Sequence, residues 1–298
     1  MNVVKSGFDL SPNAKAAAII RSSMRFEILT IFPNFFSSFF ENGILRRALA
    51  EGLVEVGVHD LRTFTHDRHR TVDDRPFGGG EGMVLKPQPI AEALASLDIK
   101  PKAERAESQP GQTQVILMSA QGRPFTQALA REIAALDRVV LICGRYEGVD
   151  ERINQLYCDM ELSIGDYVLS GGELAAAVVI DAAMRLLPGV LGNEASSEFE
   201  SFGVPDADIS TEVEGVPRSQ HGAGGLLDYP HYTRPAEFAG LKVPEPLLNG
   251  DHQAIRRWRR EQQLRKTLTN RPDLLAQARR SGALDRKDTE FLESLSAE

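Results

Sequence analysis

Three glycine-rich segments hold the residues best suited to binding a ligand. The segments are 73–83 (DDRPFGGGEGM), 143–148 (CGRYEG) and 163–172 (SIGDYVLSGG). Glycines let backbone N–H and C=O groups approach a ligand without an intervening Cβ. Any one segment is explained equally well as a tight turn. Three of them in one chain, two close to predicted strands, favour a binding site.

The sequence lacks the common motifs of phosphate, dinucleotide, zinc-protease and serine-hydrolase sites. It has no G-x-x-x-x-G-K-[ST], no G-x-G-x-x-G after a strand, no H-E-x-x-H and no G-x-S-x-G. His66 and His69 lie three residues apart without a third ligand nearby, so this pattern does not support a zinc site. Cys143 and Cys158 are too few for a disulfide framework.

Hydrophobic periodicity predicts the elements that position the three segments. Strands are predicted over 24–32, 53–61, 115–118 and 139–143, and a further short strand within 163–170. Helices are predicted after Pro33 and over 87–95, 124–136 and 173–187. Residues 62–83 fit neither period and are expected to form a long loop, which is usually functional. The alternation of strands and helices predicts an α/β fold with a largely parallel sheet, where ligands bind outside the carboxyl ends of the strands.

Length and charge suggest two parts with different roles. The chain has 298 residues and a net charge of −8, which argues against a general nucleic-acid coat protein. Residues 1–23 are expected to be a disordered extension, and 191–228, with eight acidic residues and one arginine, a mobile linker. Residues 251–280 carry nine Lys or Arg and three Asp or Glu, a basic patch that suits a polyanion. No apolar run is long enough to span a bilayer, and a reducing cytoplasm is the expected compartment.

Five runs of sequence closely resemble the bacterial TrmD family, the tRNA (guanine-N1)-methyltransferases of the SPOUT class. They are FTHDRHRTVDDRPFGGGEGM (64–83), CGRYEGVDER (143–152), SIGDYVLSGGEL (163–174), RLLPGVLGNEAS (185–196) and LLDYPHYTRP (226–235). The resemblance covers roughly residues 24–298 and is weakest in the acidic linker. Chance similarity does not produce matches of this length in this order.

The resemblance implies a fold, an assembly and a cofactor. The expected fold is an α/β SPOUT methyltransferase domain over 24–190 with a C-terminal trefoil knot, followed after the linker by a small all-α tRNA-binding domain over 229–298. The family is homodimeric, with each active site at the subunit interface. S-adenosylmethionine is expected to be held mostly by backbone groups in the knot. By motif, its cradle comprises Leu117, Met118, Ser119, Gly144, Tyr146, Glu147, Gly148, Ser163, Ile164, Gly165, Asp166, Tyr167, Val168, Leu169, Gly171 and Gly172.

The catalytic residues are carried over from the family in the same way. Arg185 matches the family's catalytic arginine, and the expected role is to stabilise negative charge on O6 of guanine. The family's general base is an aspartate just before a Ser-Phe pair, a position occupied here by Glu200. Asp206 and Asp208 of the linker remain alternatives for the base. Glu147 matches a glutamate near the methyl donor and is expected to position substrate or contact Mg²⁺, which the family needs.

The expected tRNA contacts fall in the long loop and at the start of the second domain. Asp73, Gly82 and Met83 are expected to touch the target guanine, while His231, Tyr232 and Arg234 meet the RNA, since arginines and aromatics suit phosphates and unstacked bases. On the basic helix, Trp258 is expected to face the core. The backbone contacts expected there are Arg256, Arg257, Arg259 and Arg260.

Together these expectations predict methyl transfer from S-adenosylmethionine to N1 of guanosine 37, next to the anticodon of tRNA. Two alternatives stay open. One is an inactive RNA-binding protein on the same scaffold, because Glu200 replaces the family aspartate and Ala120 and Ala175 replace two family prolines. The other is a ribose 2′-O-methyltransferase acting on ribosomal RNA or tRNA.

Overall fold

The computed structural model describes residues 23–105, 113–192, 199–203 and 222–296. The predicted N-terminal extension therefore lies outside the described residues, apart from Ser23. The same holds for most of the predicted acidic linker, including Asp206 and Asp208.

A five-stranded sheet forms the centre of the first part of the chain. Its strand order is β2-β1-β6-β5-β7, and every neighbouring pair is parallel. The strands are β1 (Met24–Thr30), β2 (Val54–Asp60), β5 (Thr113–Pro124), β6 (Arg138–Cys143) and β7 (Met160–Ser163). Two residue pairs, β3 (Asp73–Asp74) and β4 (Val84–Leu85), form a separate antiparallel sheet. The prediction of an α/β fold with a parallel sheet is confirmed.

The helices that lie wholly within the described residues are six beside this sheet and three near the carboxyl end of the chain. They are α1 (Ser37–Phe40), α2 (Gly43–Ala50), α3 (Pro87–Ser96), α4 (Gln127–Ala134), α5 (Glu151–Tyr157), α6 (Glu173–Met184), α7 (His252–Asn270), α8 (Pro272–Ser281) and α9 (Arg286–Ser296). Local capping sets several of their starts. The side chains of Thr126, Asp150 and Asp251 accept hydrogen bonds from first-turn N–H groups of α4, α5 and α7.

Side-chain alternation along the strands builds one hydrophobic core on each face of the sheet. Phe26 and Ile28 of β1 join one core, which α2, α4 and α6 help to cover, while Leu29 faces the other, which α3 and α5 cover. All three side chains are fully buried. Helices on both faces are the expected environment of a parallel sheet.

The strand predicted within 163–170 is wrong except at Ser163. The strand β7 lies at Met160–Ser163, and Ile164 begins an irregular loop that ends before α6. Apolar content alone cannot separate a buried strand from the apolar loop that follows it. The predicted strand over 115–118 is likewise too short, because β5 continues to Pro124 after a register shift between Met118 and Arg123.

The carboxyl-terminal helices pack around their own small core, which includes Leu226, Leu264, Leu275 and Leu292. This part is not purely helical, since Glu237–Phe238 (β8) and Leu241–Lys242 (β9) form an antiparallel pair.

The prediction that Arg260 contacts RNA is wrong. Arg260 is 8% exposed, and its Nε and Nη2 donate to the two carboxylate oxygens of Asp288 at 3.0 and 2.6 Å. The expected anchor, Trp258, is half-buried and lies beside Tyr232 with ring centroids 6.1 Å apart.

Glu27 is a fully buried carboxylate on β1 with three basic side chains as partners. Its oxygens lie 2.6 Å from Arg25 Nε, 2.6 Å from His59 Nε2 and 3.1 Å from Arg138 Nη2. Burial by itself raises the pKa of Glu27, but the hydrogen bond with His59 and the charges of the two arginines outweigh it, so the pKa lies below its ordinary value.

Replacing Glu27 by glutamine is expected to lower the free energy of unfolding at pH 7 by about 3 kcal/mol, because the cations lose a buried partner. A carboxylate whose pKa is lower in the folded state than in the unfolded state stabilises the fold at pH values above its unfolded pKa. That stabilisation is lost as the pH falls through the folded pKa. The gap between wild type and E27Q should therefore shrink below about pH 4.5. Urea titrations from pH 3 to 8 measure it, and an equal gap at all pH values would contradict the ionic origin.

Candidate active site

The carboxyl ends of β6 and β7 and the middle of β5 surround a cavity of about 430 Å³. Met118 lies where β5 stops pairing with β6, Cys143 and Ser163 are the last residues of β6 and β7, and the second and third glycine-rich segments follow those two strands. Parallel strands bring their carboxyl ends to one edge of the sheet, so segments distant in sequence meet there. The cavity therefore lies where the sequence analysis expected a ligand site.

All but one of the sixteen residues predicted to cradle the cofactor line this cavity. The lining members are Leu117, Met118, Ser119, Gly144, Tyr146, Glu147, Gly148, Ser163, Ile164, Gly165, Tyr167, Val168, Leu169, Gly171 and Gly172. The exception is Asp166, whose side chain is exposed. The structure thus brings the predicted set together in one place.

Close backbone approach at Gly172 closes one wall of the cavity. A Cβ at Gly172 would lie 2.8 Å from Cys143 Cα and 2.9 Å from Met118 Cβ, distances that real Cβ atoms do not reach. The N–H of Gly172 donates to the carbonyl of Gly144 at 2.9 Å. Only glycine lets the start of α6 approach the ends of β5 and β6 this closely.

Arg145, which sequence analysis did not assign a role, connects the cavity loops through a buried ion pair. Its Nε and Nη2 lie 3.0 and 2.9 Å from Glu173 Oε2, and Nη1 donates to the carbonyl of Ser170 at 3.0 Å. Glu173 is 1% exposed and also accepts from Thr30 Oγ1 at 2.7 Å. The network fixes the loop after β6 against the start of α6. The position of Arg145 between Gly144 and Tyr146 was the signal that sequence analysis could have used.

The charges on the cavity wall favour a cationic ligand. Three carboxylates line it, those of Glu147, Glu151 and Glu161, while the guanidinium of Arg145 is already neutralised by Glu173. Glu161 accepts from Asn154 Nδ2 at 2.5 Å, so its carboxylate is held in place. A positively charged group in this cavity would meet negative charge on several sides. Sequence analysis missed Glu151 and Glu161.

The long loop, which holds the predicted contact residues Asp73, Gly82 and Met83, lies against Tyr146 and Glu147 of the cavity lining. The carbonyl of Met83 accepts from the N–H of Glu147 at 3.0 Å, and a Cβ on Gly82 would fall 2.4 Å from Glu147 Oε1. Partial burial raises the pKa of the Tyr146 hydroxyl, and the charge and hydrogen bonding of Asp73 raise it further. Asp73 therefore lies beside a residue that lines the cavity.

Arg185 and Glu200, the predicted catalytic pair, contact each other but not this cavity. Arg185 Nη1 lies 2.5 Å from Glu200 Oε1, and this hydrogen bond raises the pKa of the Arg185 guanidinium. Gly172 and Arg185 cap opposite ends of α6. At 1.5 Å per residue the helix separates them by about 20 Å. Within one chain the pair therefore lies too far away to touch a ligand in the cavity.

His231, Tyr232 and Arg234 line a second cavity of about 310 Å³ in the carboxyl-terminal part. His231 Nε2 lies 2.9 Å from Asp228 Oδ2, and its ring lies 4.8 Å from that of Tyr229. The guanidinium of Arg259 lies over the Tyr229 ring at 4.7 Å. Aromatic faces next to guanidinium groups suit RNA bases and phosphates.

Neither a metal-binding cluster nor a membrane-spanning helix is found within the part of the chain that the structure describes. Histidine, cysteine, aspartate and glutamate side chains do not gather there in groups of three or more suited to a metal ion. Every helix in the same residues is too short or too polar to cross a bilayer.

Comparison with known proteins gives consistent matches along the chain. The model of the family described as tRNA (Guanine-1)-methyltransferase TrmD matches residues 24–277. A protein of Koribacter versatilis called tRNA (guanine-N(1)-)-methyltransferase is 53% identical over 92% of this chain and 99% of its own length. Proteins of the same name from Pelotomaculum thermopropionicum and Geobacter metallireducens are 47% and 46% identical, over 92% and 90% of this chain and 97% and 96% of their own lengths.

Proposed function

Because the chain belongs to the TrmD family of tRNA (guanine-N1)-methyltransferases, we propose that it methylates N1 of guanosine 37, next to the anticodon of tRNA. Membership of this family establishes the reaction class, which is methyl transfer to N1 of guanine in tRNA. The finer assignments of cofactor, target nucleotide, residues and assembly are proposals. The proposed substrate also leads us to expect a cytoplasmic enzyme.

One observation supports S-adenosylmethionine as the ligand of the 430 Å³ cavity: glycine-rich backbone and uncompensated carboxylates surround it together. The cofactor carries a positive sulfonium, which Glu147, Glu151 and Glu161 attract. Backbone N–H and C=O groups of the loops suit the donor and acceptor edge of adenine. When bound, the cofactor supplies an electrophilic methyl group. Glu147 is assigned to positioning at this site.

The remaining chemistry falls to a base and a cation. Neutral guanine carries a proton on N1, so the nitrogen becomes a good nucleophile only as that proton leaves. We assign proton acceptance to the carboxylate of Glu200, which would become a carboxylic acid as N1 gains the methyl group and the bond between that methyl carbon and the donor sulfur breaks. We assign the guanidinium of Arg185 to the negative charge that grows on O6. Their 2.5 Å ion pair keeps the two groups adjacent.

The length of α6 supports a homodimer with shared active sites. The cavity adjoins one end of α6 and the Arg185–Glu200 pair the other, about 20 Å away by helix rise. A second copy can bring its own pair to the first copy's cavity. The exposed apolar side chains Phe32, Leu174 and Val178, at 45%, 51% and 45% exposure, suit burial against that copy.

We also propose the SPOUT-type trefoil knot and the domain limits implied by the family. Two observations support the knot. In the strand order, β5 lies between β6 and β7. The chain after β7 comes back to the end of β6, where the N–H of Gly172 donates to the carbonyl of Gly144. The proposed limits are a methyltransferase domain over 24–190, a linker over 191–228 and a tRNA-binding domain over 229–298. The separate core around Leu264 supports the last of these, and Leu226 of the linker also belongs to that core.

Asp73, Gly82, Met83, His231, Tyr232 and Arg234 are the proposed tRNA contacts. The support is their position at the cavity mouth and around the second cavity. The family resemblance implies a need for Mg²⁺. The described residues contain no cluster of side chains suited to bind it, so the proposed mechanism gives it no role.

Primer extension on a tRNA transcript tests the proposed function. A methyl group on N1 blocks the Watson–Crick edge, so wild-type enzyme should create a reverse-transcriptase stop at guanosine 37, absent from a transcript with adenosine 37. E200Q should slow single-turnover formation of the stop by about 100-fold, within the range for loss of a general base. D206N, D208N and the control E293Q, on an exposed site in α9, should stay near the wild-type rate.

Other outcomes would overturn particular assignments. Methyl transfer without a stop would indicate ribose as the acceptor, and cofactor binding without turnover would indicate an inactive scaffold. A slow D206N or D208N beside a normal E200Q would move the base into the linker.

A further inference from the structure

Residues 199–203, which carry the proposed base, are held by contacts from both parts of the chain. On the carboxyl-terminal side, Phe202 N–H donates to the carbonyl of Leu226 at 2.8 Å. The N–H of Asp228 donates to Ser201 Oγ at 2.9 Å. Phe202 adopts a left-handed backbone with φ of 63°, which a residue with a side chain adopts only at a cost. The surrounding contacts must therefore hold this segment in place.

On the other side, two arginines from neighbouring helices converge on the same segment. Arg185, at the end of α6, pairs with Glu200, and Arg131, on α4, donates from Nη1 to the carbonyl of Phe202 at 3.3 Å. Helices α4 and α6 pack against each other. Arg131 is absent from the motifs that carry the family resemblance, and sequence analysis gave it no role.

Arg131 is unusually placed for an arginine. Its Nη2 is buried and finds no hydrogen-bond partner among the residues that the structure describes. Burial lowers the pKa of the guanidinium, while the charge of Glu200 raises it. A partly desolvated arginine at this position is costly unless its charge is used. The nearby charge that acts on it is the carboxylate of Glu200.

We propose that Arg131 is a positioning residue for the methyl transfer, which holds the 199–203 segment and remains as the counter-charge of Glu200 when Arg185 turns to O6 of guanine. The inference rests on the proposed roles of Glu200 and Arg185. Only Nη1 of Arg185 contacts Glu200, and once the charge of Arg185 is shared with O6, less of it acts on the carboxylate. A second guanidinium leaves the carboxylate of Glu200 with a positive neighbour when Arg185 engages O6.

The charged groups around Glu200 in the described residues set the sign of the expected pH effect. They are Arg185 from α6 and Arg131 from α4, while Asp181 acts on Arg185 from one turn earlier in α6. Removing a positive charge near a carboxylate disfavours its ionised form. Loss of Arg131 should therefore move the acidic limb of the rate–pH profile to higher pH.

Single-turnover methylation of a tRNA transcript, followed by primer extension from pH 5 to 9, tests this role. R131Q should shift the acidic limb to higher pH by about half a pH unit. The ratio of the R131Q rate to the wild-type rate should therefore be about threefold lower on the acidic limb than on the plateau. R131K, which keeps the charge, should restore the wild-type limb even if its plateau rate is lower. R286Q removes an equally charged but exposed arginine on α9 and should leave the profile unchanged.

Three results would overturn the proposal. R131Q with a wild-type profile shows that Arg131 has no part in the reaction. A reduction by the same factor at every pH, with R131K no better, shows a structural role only. Weaker tRNA binding with an unshifted limb shows an RNA contact. The variant E200Q separates failure of the Arg131 proposal from failure of the proposed function. A slow E200Q with a normal R131Q would overturn only the role of Arg131. A fully active E200Q would overturn the assignment of Glu200 as the base and with it the role of Arg131.

Discussion

Arg185→Ala is expected to lower the rate of single-turnover methylation about 100-fold or more while S-adenosylmethionine binds almost as before. The rate falls because charge on O6 loses its preorganised cation, a contribution of roughly 10²–10³-fold in comparable sites. Cofactor binding is kept because Arg185 is assigned to O6 of guanine and is not among the residues that line the cavity. Rapid-quench assays at saturating tRNA give the rate, and calorimetry gives the affinity for the cofactor.

The controls for this variant separate charge from folding. Arg185→Lys keeps the positive charge but loses the forked geometry, so its rate should lie between those of R185A and wild type. Thermal unfolding of R185A and R185K shows how much stability is lost, since both side chains of the Arg185–Glu200 pair are only about one-quarter exposed. A rate for R185A within about threefold of wild type would remove Arg185 from the mechanism.

The sheet and the main cavity could be predicted because both depend on local sequence. Alternation placed β1 at its observed start, the predicted strand over 53–61 matches β2 within one residue at each end, and the buried run 139–143 begins one residue after the start of β6. Glycine-rich segments after parallel strands then predicted one site, since parallel strands share their carboxyl edge. The cavity wall made by Gly144, Gly148 and Gly172 follows from this rule alone.

The parts that could not be predicted depend on contacts between residues distant in sequence. Arg260 looks like an RNA-binding arginine because the patch around it is basic, yet Asp288, 28 residues later, buries it in an ion pair. Arg131 meets Phe202 across 71 residues. No local period encodes such pairings, and a charged residue is expected at the surface unless its partner is known.

The site itself is divided by α6. This helix is apolar enough to be buried along one side, with Val179 and Ile180 fully inaccessible, and yet Leu174 and Val178 are exposed on another. Its length keeps the cavity and the Arg185–Glu200 pair apart. A rigid helix cannot shorten to join them, so the complete site requires either a large rearrangement or a second chain.

A mixed dimer of two inactive variants should regain activity if the site is shared between chains. S119W fills the cavity with a large side chain at the end of the buried part of β5, and R185A removes the proposed cation. Each homodimer alone should be nearly inactive. In the mixed dimer, the intact cavity of the R185A chain meets the intact Arg185 of the S119W chain. One of the two sites is then complete, and about half of the wild-type rate per dimer is expected.

The matched control is a dimer of wild type with the double variant S119W/R185A. If sites are shared, each of its two sites pairs one intact half with one defective half, and this dimer should be nearly inactive. If each chain builds its own site, the results reverse: the control keeps half of the wild-type rate and the mixed dimer of single variants has none. Dimers purified through two different affinity tags and assayed by primer extension give opposite outcomes for the two arrangements. The comparison therefore decides whether α6 separates two halves of different sites or whether the 199–203 segment must move.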